Sequence, residues 1–217
     1  MAANDYLTIA KNGEAQQVIK KSRFICTLTR ITSREDAADA LAAVIKAHPK
    51  ATHHVPVYLL GDQDEIQHAS DDGEPSGTAG APMLRVLQQM GVHDVSAITT
   101  RYFGGIKLGA GGLIRAYAGS VSNAVTTIGL VKRLIQQTVT LTLAYPLLGT
   151  VQHYLEEQAI TQLDTAYTDQ VQVTIAVDEV EIATVQAALI ELAGGQITFE
   201  LGEKLPVEVP VTLPSLH

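Results

Sequence analysis

The sequence predicts an α+β protein of two domains, and three observations carry that expectation. Past residue 136 the apolar pattern switches between strand and helix periods in the order β-α-β-β-α-β, the split βαβ or ferredoxin-like unit. Before it, strands and helices mix in another order, interrupted by two clusters of glycine. Charge divides at the same place. Residues 1–135 hold 14 Lys and Arg against 12 Asp and Glu, net +2, while residues 136–217 hold one Lys against 11 acidic residues, net −10. These observations place domains at 1–135 and 136–217. A chain of 217 residues with 46% hydrophobic content can fill a core in each.

In the first domain, strand patterns lie near 6–9, 15–20 and 23–30. Ser33 with Asp36 resembles a capping box opening a helix over about 34–47, which His48-Pro49 closes. Strands follow at about 54–60 and 64–68. A helix begins near Ala79, with Pro82 in its first turn and Met83, Leu84, Leu87 and Met90 inward. A strand at 94–101 leads to the second glycine cluster. A long helix over about 111–128 then turns Leu113, Ile114, Tyr117, Val121, Val125 and Ile128 to the core.

In the second domain, Val139, Leu141 and Leu143 share one face of a strand. Pro146 opens a helix carrying Leu147, Leu148, Val151, Tyr154 and Leu155. A short strand near 160–166 and a turn at Thr168-Asp169 precede the alternating run Val171, Val173, Ile175, Val177. A helix at about 179–193 turns Ile182, Val185, Leu189 and Leu192 inward and ends at Gly194-Gly195. Ile197, Phe199 and Leu201 form the last strand. The tail from Pro206, with three prolines, is expected to be extended.

Bulk properties narrow the function classes. No apolar run approaches the about 18 residues of a membrane span, and MAANDYLT has no basic-then-apolar signal pattern. A single cysteine, Cys26, excludes an internal disulfide and a cysteine zinc cluster, and its place in an alternating strand marks it as a core thiol. The expected compartment is the cytoplasm. A net charge of −8 argues against a generic nucleic-acid binder, yet nearly all positive charge lies in one half.

Residues 71–117 hold the functional candidates. Glycines cluster at Gly73, Gly77 and Gly80, then at Gly104, Gly105, Gly109, Gly111 and Gly112, and each cluster runs into a helix. A glycine-rich turn feeding a helix N-terminus presents free backbone N–H groups to an anion. The second cluster, GGIKLGAGG, matches neither the Walker loop nor the dinucleotide fingerprint. Lys107 could supply a point charge there, and Arg101 and Arg115 planar forks. The alternative is that the glycines serve packing and that Arg101 pairs with Asp71, Asp72 or Glu74.

At the first cluster, Asp71, Asp72 and Glu74, with Ser76 or Thr78 as an extra ligand, are residue types that could hold Mg²⁺, and His53 and His54 could join them or act as acid–base groups. The alternative is turn chemistry, with Asp71 or Asp72 bonding its own backbone and Thr78 capping the helix. EPSGTAG is not a nucleophile elbow. His68, His93, His153 and His217 belong to no recognisable constellation.

Together, Lys21-Ser22-Arg23-Phe24, Ala51-Thr52-His53, DDGEPSGTAGAP at 71–82 and RYFGGIKLGAGGLIRAY at 101–117 resemble the IMPACT family, in its bacterial YigZ-like branch. The resemblance extends over essentially the whole chain. It implies a first domain similar to the second domain of a small-subunit ribosomal protein, with the left-handed βαβ crossover shared by an elongation factor G domain and the GHMP kinases. It implies a second domain similar to the last domain of elongation factor G. Eukaryotic members regulate translation, and bacterial members have no settled activity. The leading expectation is therefore a non-catalytic cytoplasmic protein binding RNA or the ribosome through the basic glycine loop, with Lys21 and Arg23 joining Arg101, Lys107 and Arg115. Two alternatives stay open: an enzyme acting on a phosphorylated small molecule or nucleotide, and a protein-interaction module. No cofactor is expected beyond the Mg²⁺ that Asp71, Asp72 and Glu74 could hold.

Overall fold

Alternating apolar residues build the strands, and helical stripes cover them. The computed structural model describes residues 6–61 and 63–211; Pro214 of the tail and His217 lie outside them. The chain packs as two compact units. One runs to Arg133 and takes in the chain from Glu208 onward, and the other is Leu134–Val207.

The first unit contains β1 (Tyr6–Ile9), β2 (Gly13–Ile19), β3 (Ser22–Arg30), α1 (Arg34–Ala47), β4 (His53–Leu60), β5 (Ile66–Ala69), α2 (Gly80–Gln89), β6 (Val95–Tyr102) and α3 (Ala110–Ile128). Five strands form an antiparallel sheet in the order β2-β3-β6-β4-β5. Phe24, Cys26 and Leu28 of β3, Val55, Val57 and Leu59 of β4, and Val95 and Ala97 of β6 share one face. They pack against Met83 and Leu87 of α2 and Leu113, Tyr117, Val121 and Val125 of α3. The alternate residues of β4, Tyr58 and Leu60, meet Ala37 of α1 and Ile31. Burial pushes the Cys26 thiol up to about 12, so it is an inert core group.

β7 (Leu130–Leu143) spans the boundary between the units. Its first four residues pair with β1, and Gln137–Leu143 pairs with β9 (Val171–Val177). The second unit adds a 3₁₀ turn at Tyr145–Leu147, α4 (Leu148–Glu157), β8 (Thr161–Tyr167), α5 (Ile182–Leu192) and β10 (Ile197–Val211). Its element order is β-α-β-β-α-β, with β9 between β7 and β8 and β10 paired to β7. Val139, Leu141, Leu143, Val173 and Ile175 pack on Val151, Leu155, Val185 and Leu189. No helix among the described residues is long and apolar enough to cross a membrane.

Several side chains depart from the expected pattern. Ile114 and Leu192, expected inward, are exposed, and Leu84 and Met90 are only half-buried. In α3 the core stripe runs Leu113–Tyr117–Val121, so Ile114 sits 100° off it. In α5 the stripe runs Val185–Leu189–Ala193, which leaves Leu192 outside. Burial fades along β10 from Ile197 to Leu201. The tail is extended through Pro206 and Pro210 within β10. The charge and period patterns assign the whole tail to the second domain, but Glu208 makes a two-pronged pair with Arg30, at 2.7 and 2.8 Å, and Val211 packs on the first core.

α1 opens with a complete capping box: Ser33 Oγ accepts from the Asp36 N–H, and the Asp36 carboxylate accepts from the Ser33 N–H. Ser33→Ala is expected to lower stability by about 1 kcal/mol, read as a shift of the urea midpoint at constant slope.

Candidate functional site

The strand period places Arg101 inside. It lies on β6 two residues beyond Thr99 and four beyond Ala97, on the core face, and it is only 5% exposed. A buried guanidinium requires a partner. Arg101 NH1 donates to Glu74 Oε1 at 2.5 Å, and the Tyr117 hydroxyl donates to the same oxygen at 2.7 Å. Burial, reinforced by Glu74, pushes the Tyr117 phenol pKa up, so it stays a donor. Phe24 meets Tyr117 edge-on at 5.3 Å, and the Arg101 guanidinium lies 5.4 Å from the Phe24 ring and 5.5 Å from Phe103. His53 Nδ1 is 2.6 Å from the Asp72 carbonyl. A carbonyl only accepts, so Nδ1 carries the hydrogen, and Nε2 faces Glu74 Oε1 at 3.8 Å.

All these contacts fall on Oε1. Among the described residues neither Glu74 Oε2 nor Arg101 Nε has a hydrogen-bond partner, and of the two only Arg101 Nε is sealed from solvent. Glu74 and Arg101 line a cleft of about 340 Å³, together with Phe103, Lys107, Ala110 and Leu113.

Both glycine clusters open helices, and the two helix starts differ. At α2, Asp71 reaches forward to cap the helix: Oδ1 accepts from the N–H groups of Ala79 and Gly80 at 3.0 and 2.9 Å, and Oδ2 from Gly77 at 2.8 Å. Burial disfavours the charged carboxylate, but the three N–H bonds outweigh it and hold its pKa below the ordinary value. At α3 the N-cap is Gly109, with φ of 72° and no side-chain cap, and the first turn has no acidic residue. The N–H groups of Ala110, Gly111 and Gly112 have no intrahelical partner and open beside the cleft.

The Impact N-terminal domain matches residues 20–125, and a domain of unknown function matches residues 141–196. The IMPACT family member YvyE of Bacillus subtilis is 41% identical over 208 residues, covering 96% of each chain. YigZ of Escherichia coli is 35% identical, over 82% of this chain and 89% of that one. The chain belongs to the IMPACT family. A crystal structure described only as that of a hypothetical protein is 32% identical, with a TM-score of 0.57, over 90% of this chain and 96% of that one.

In this IMPACT protein the acidic residues of DDGEPSGTAGAP separate rather than converge. Asp71 caps α2. Asp72 Oδ2 accepts from the His54 N–H at 2.7 Å, and Glu74 holds Arg101. Thr78 does not cap α2, the role open to it in the sequence; its hydroxyl donates to the Pro75 carbonyl at 2.6 Å. Ser76 is exposed. No group of three or more His, Cys, Asp or Glu able to hold a metal ion occurs among the described residues. His93 bonds Asp64, His68 stacks on Tyr58, and His153 faces Glu157; none of the three histidines lines the cleft.

The basic candidates divide between floor and rim. Arg101 is the buried floor. Lys107 is exposed at the cleft, and Arg115 lies along the first turn of α3, its NH1 3.6 Å from where a Cβ on Gly111 would stand. Gly105 is exposed with φ of 83°. The β2–β3 hairpin turns on Lys20 and Lys21, both at positive φ, and presses its backbone against Gly104, whose N–H donates to Ser22 Oγ at 3.2 Å. Lys21 is thereby set beside the loop. Arg23 lies over the Tyr102 ring at 4.4 Å. Lys21, Lys107 and Arg115 make no ion pair among the described residues. Sequence reasoning missed Phe103 and Tyr117; a buried tyrosine's need for a hydroxyl partner was the available signal for the second.

Gly104→Ala would drive a Cβ into the Lys21 backbone and is expected to cost about 3 kcal/mol by urea unfolding. Glu74→Gln leaves the Arg101 charge buried without its counter-ion, an expected loss of about 3–5 kcal/mol in the same measurement. Because the Asp71 pKa is depressed, its contribution is present above the unfolded value of about 4 and fades as pH falls through the folded value. Asp71→Asn is expected to remove that part of the pH dependence of Tm below about pH 4.

Proposed function

We propose that this IMPACT-family protein is a non-catalytic, cytoplasmic regulator of translation that binds RNA on the ribosome through the loop leading into α3. The observation that carries this reading is the uncapped N-terminus of α3, bordered by cations with no ion pair among the described residues. The protein supplies its own carboxylate to the equivalent position of α2 and none to α3. Helix N–H groups, the partial positive charge of the helix end, Lys107, Arg115 and the docked Lys21 suit a phosphate backbone. Phe103 and Ile106, 47% and 42% exposed, add apolar surface against which unpaired bases can lie. Arg23 extends the basic surface, and Gly104, Gly105, Gly109, Gly111 and Gly112 let the backbone approach the ligand.

The second unit serves another role in this reading. Its acidic residues repel phosphate and face protein or solvent. The resemblance drawn from the sequence, of the first domain to a small-subunit ribosomal protein domain and of the second to the last domain of elongation factor G, accords with a ribosomal site of action.

Co-sedimentation with ribosomes at low and high salt tests the proposal. Wild type is expected to bind at low salt and be released at high salt. Lys21→Ala, Lys107→Ala and Arg115→Ala combined should flatten the salt dependence, by about 0.7–0.9 in slope for each phosphate no longer neutralised. Arg101 is left intact because its replacement would unseat Glu74. Absence of wild-type binding at low salt, or binding indifferent to salt, sinks the proposal.

A further inference from the structure

The cleft beside α3 has chemistry that a phosphate surface alone does not need. Its floor holds a carboxylate that is 8% exposed, and no donor among the described residues reaches its Oε2. Unlike the sealed Arg101 Nε, Glu74 Oε2 keeps contact with solvent, so it is a place for a ligand N–H or O–H. Arg101 and Tyr117 saturate Oε1 and fix the carboxylate's orientation. No phosphate can sit against that oxygen. The anion-attracting groups, Lys107 and the free N–H groups at Ala110, lie elsewhere along the same wall. Phe103 and Leu113 line it too, an aromatic ring and an apolar surface. A ligand that satisfies all three carries an anionic group, a flat apolar part and a hydrogen-bond donor.

We infer that the cleft takes a single nucleotide. Its base lies on Phe103 and donates an edge N–H to Glu74 Oε2, and its phosphate meets the start of α3 and Lys107. A volume of about 340 Å³ fits one such unit and lies at the lower end of ligand pockets, about 300–1,000 Å³. The source is either a free mononucleotide or one unstacked residue of an RNA strand. The inference rests on the phosphate-binding reading of the loop and adds a base-reading pocket to it. Carboxylate recognition of a base edge, as Asp or Glu accepts from cytosine N4, and stacking on an aromatic ring are both general means of reading unpaired bases.

The test is calorimetric titration of the full chain with AMP, GMP, CMP and UMP, with ribose 5-phosphate, and with purine riboside 5′-monophosphate, whose base has no N–H donor. A single-stranded RNA oligomer forms a second arm. The best mononucleotide is expected to bind at least about tenfold more tightly than ribose 5-phosphate, the effect of one base–aromatic stack. Purine riboside monophosphate should bind several-fold more weakly than the better of AMP and GMP. Two variants separate the parts and keep both members of the buried ion pair. Phe103→Ala should erase the difference between mononucleotide and ribose 5-phosphate. Ala110→Asp puts a carboxylate into the first turn of α3, which favours the helix and so should leave Tm unlowered, while abolishing binding of the phosphate end.

Equal affinity for ribose 5-phosphate and all mononucleotides overturns the base pocket. Salt-sensitive RNA binding that Phe103→Ala leaves unchanged, with no mononucleotide binding, also overturns it while the phosphate surface stands. Mononucleotide binding without RNA or ribosome binding supports the pocket, assigns the free nucleotide as its ligand and removes the ribosomal reading. Absence of every ligand removes both.

Discussion

The buried pair of Arg101 and Glu74 is the constraint on which the functional end of the first unit depends. Two opposite charges inside a core are tolerated only when each is tightly partnered. Here the pairing draws together four chain segments: Arg101 from the end of β6, Glu74 from the first glycine loop, Tyr117 from α3 and Phe24 from β3. The segments that resemble the family most clearly are the ones this cluster connects. Losing one member strands the charge of another.

Fixing the floor leaves the rim free to act. With Arg101 spent internally, the positive potential at the surface comes from Lys21, Lys107, Arg115 and the open end of α3. Asp71 shows what an occupied helix start looks like in the same protein, three N–H bonds converging on one carboxylate. The start of α3 has the same backbone groups with no such occupant. Gly104 ties the β2–β3 hairpin into this arrangement through a close approach of two backbones and its N–H bond to Ser22 Oγ, which together hold Lys21 beside the loop.

Much of the fold was legible from residue order. The β-α-β-β-α-β pattern of the second unit, the capping box of α1, the burial of Cys26 and the start of α2 just past Ala79 all follow from local periodicity and caps, and the structure has them. The exposed Ile114 and Leu192 show where counting apolar residues overshoots. Each is one position off the stripe, and single-residue angular errors are invisible until a partner surface fixes which 100° sector is inside.

The sequence by itself determined the element order, the two glycine clusters, the basic and acidic halves and the family, because these depend on spacing and composition along the chain. Tertiary structure alone decided what each charged group does. Arg101 and Lys107 are six residues apart and read alike in sequence, yet one is a buried counter-ion and the other stands free at a cleft. Asp71, Asp72 and Glu74 read as one acidic cluster, yet they serve a helix cap, a strand N–H and an ion pair. Charge partnership is set by distances between segments far apart in the chain, and only packing brings those segments together.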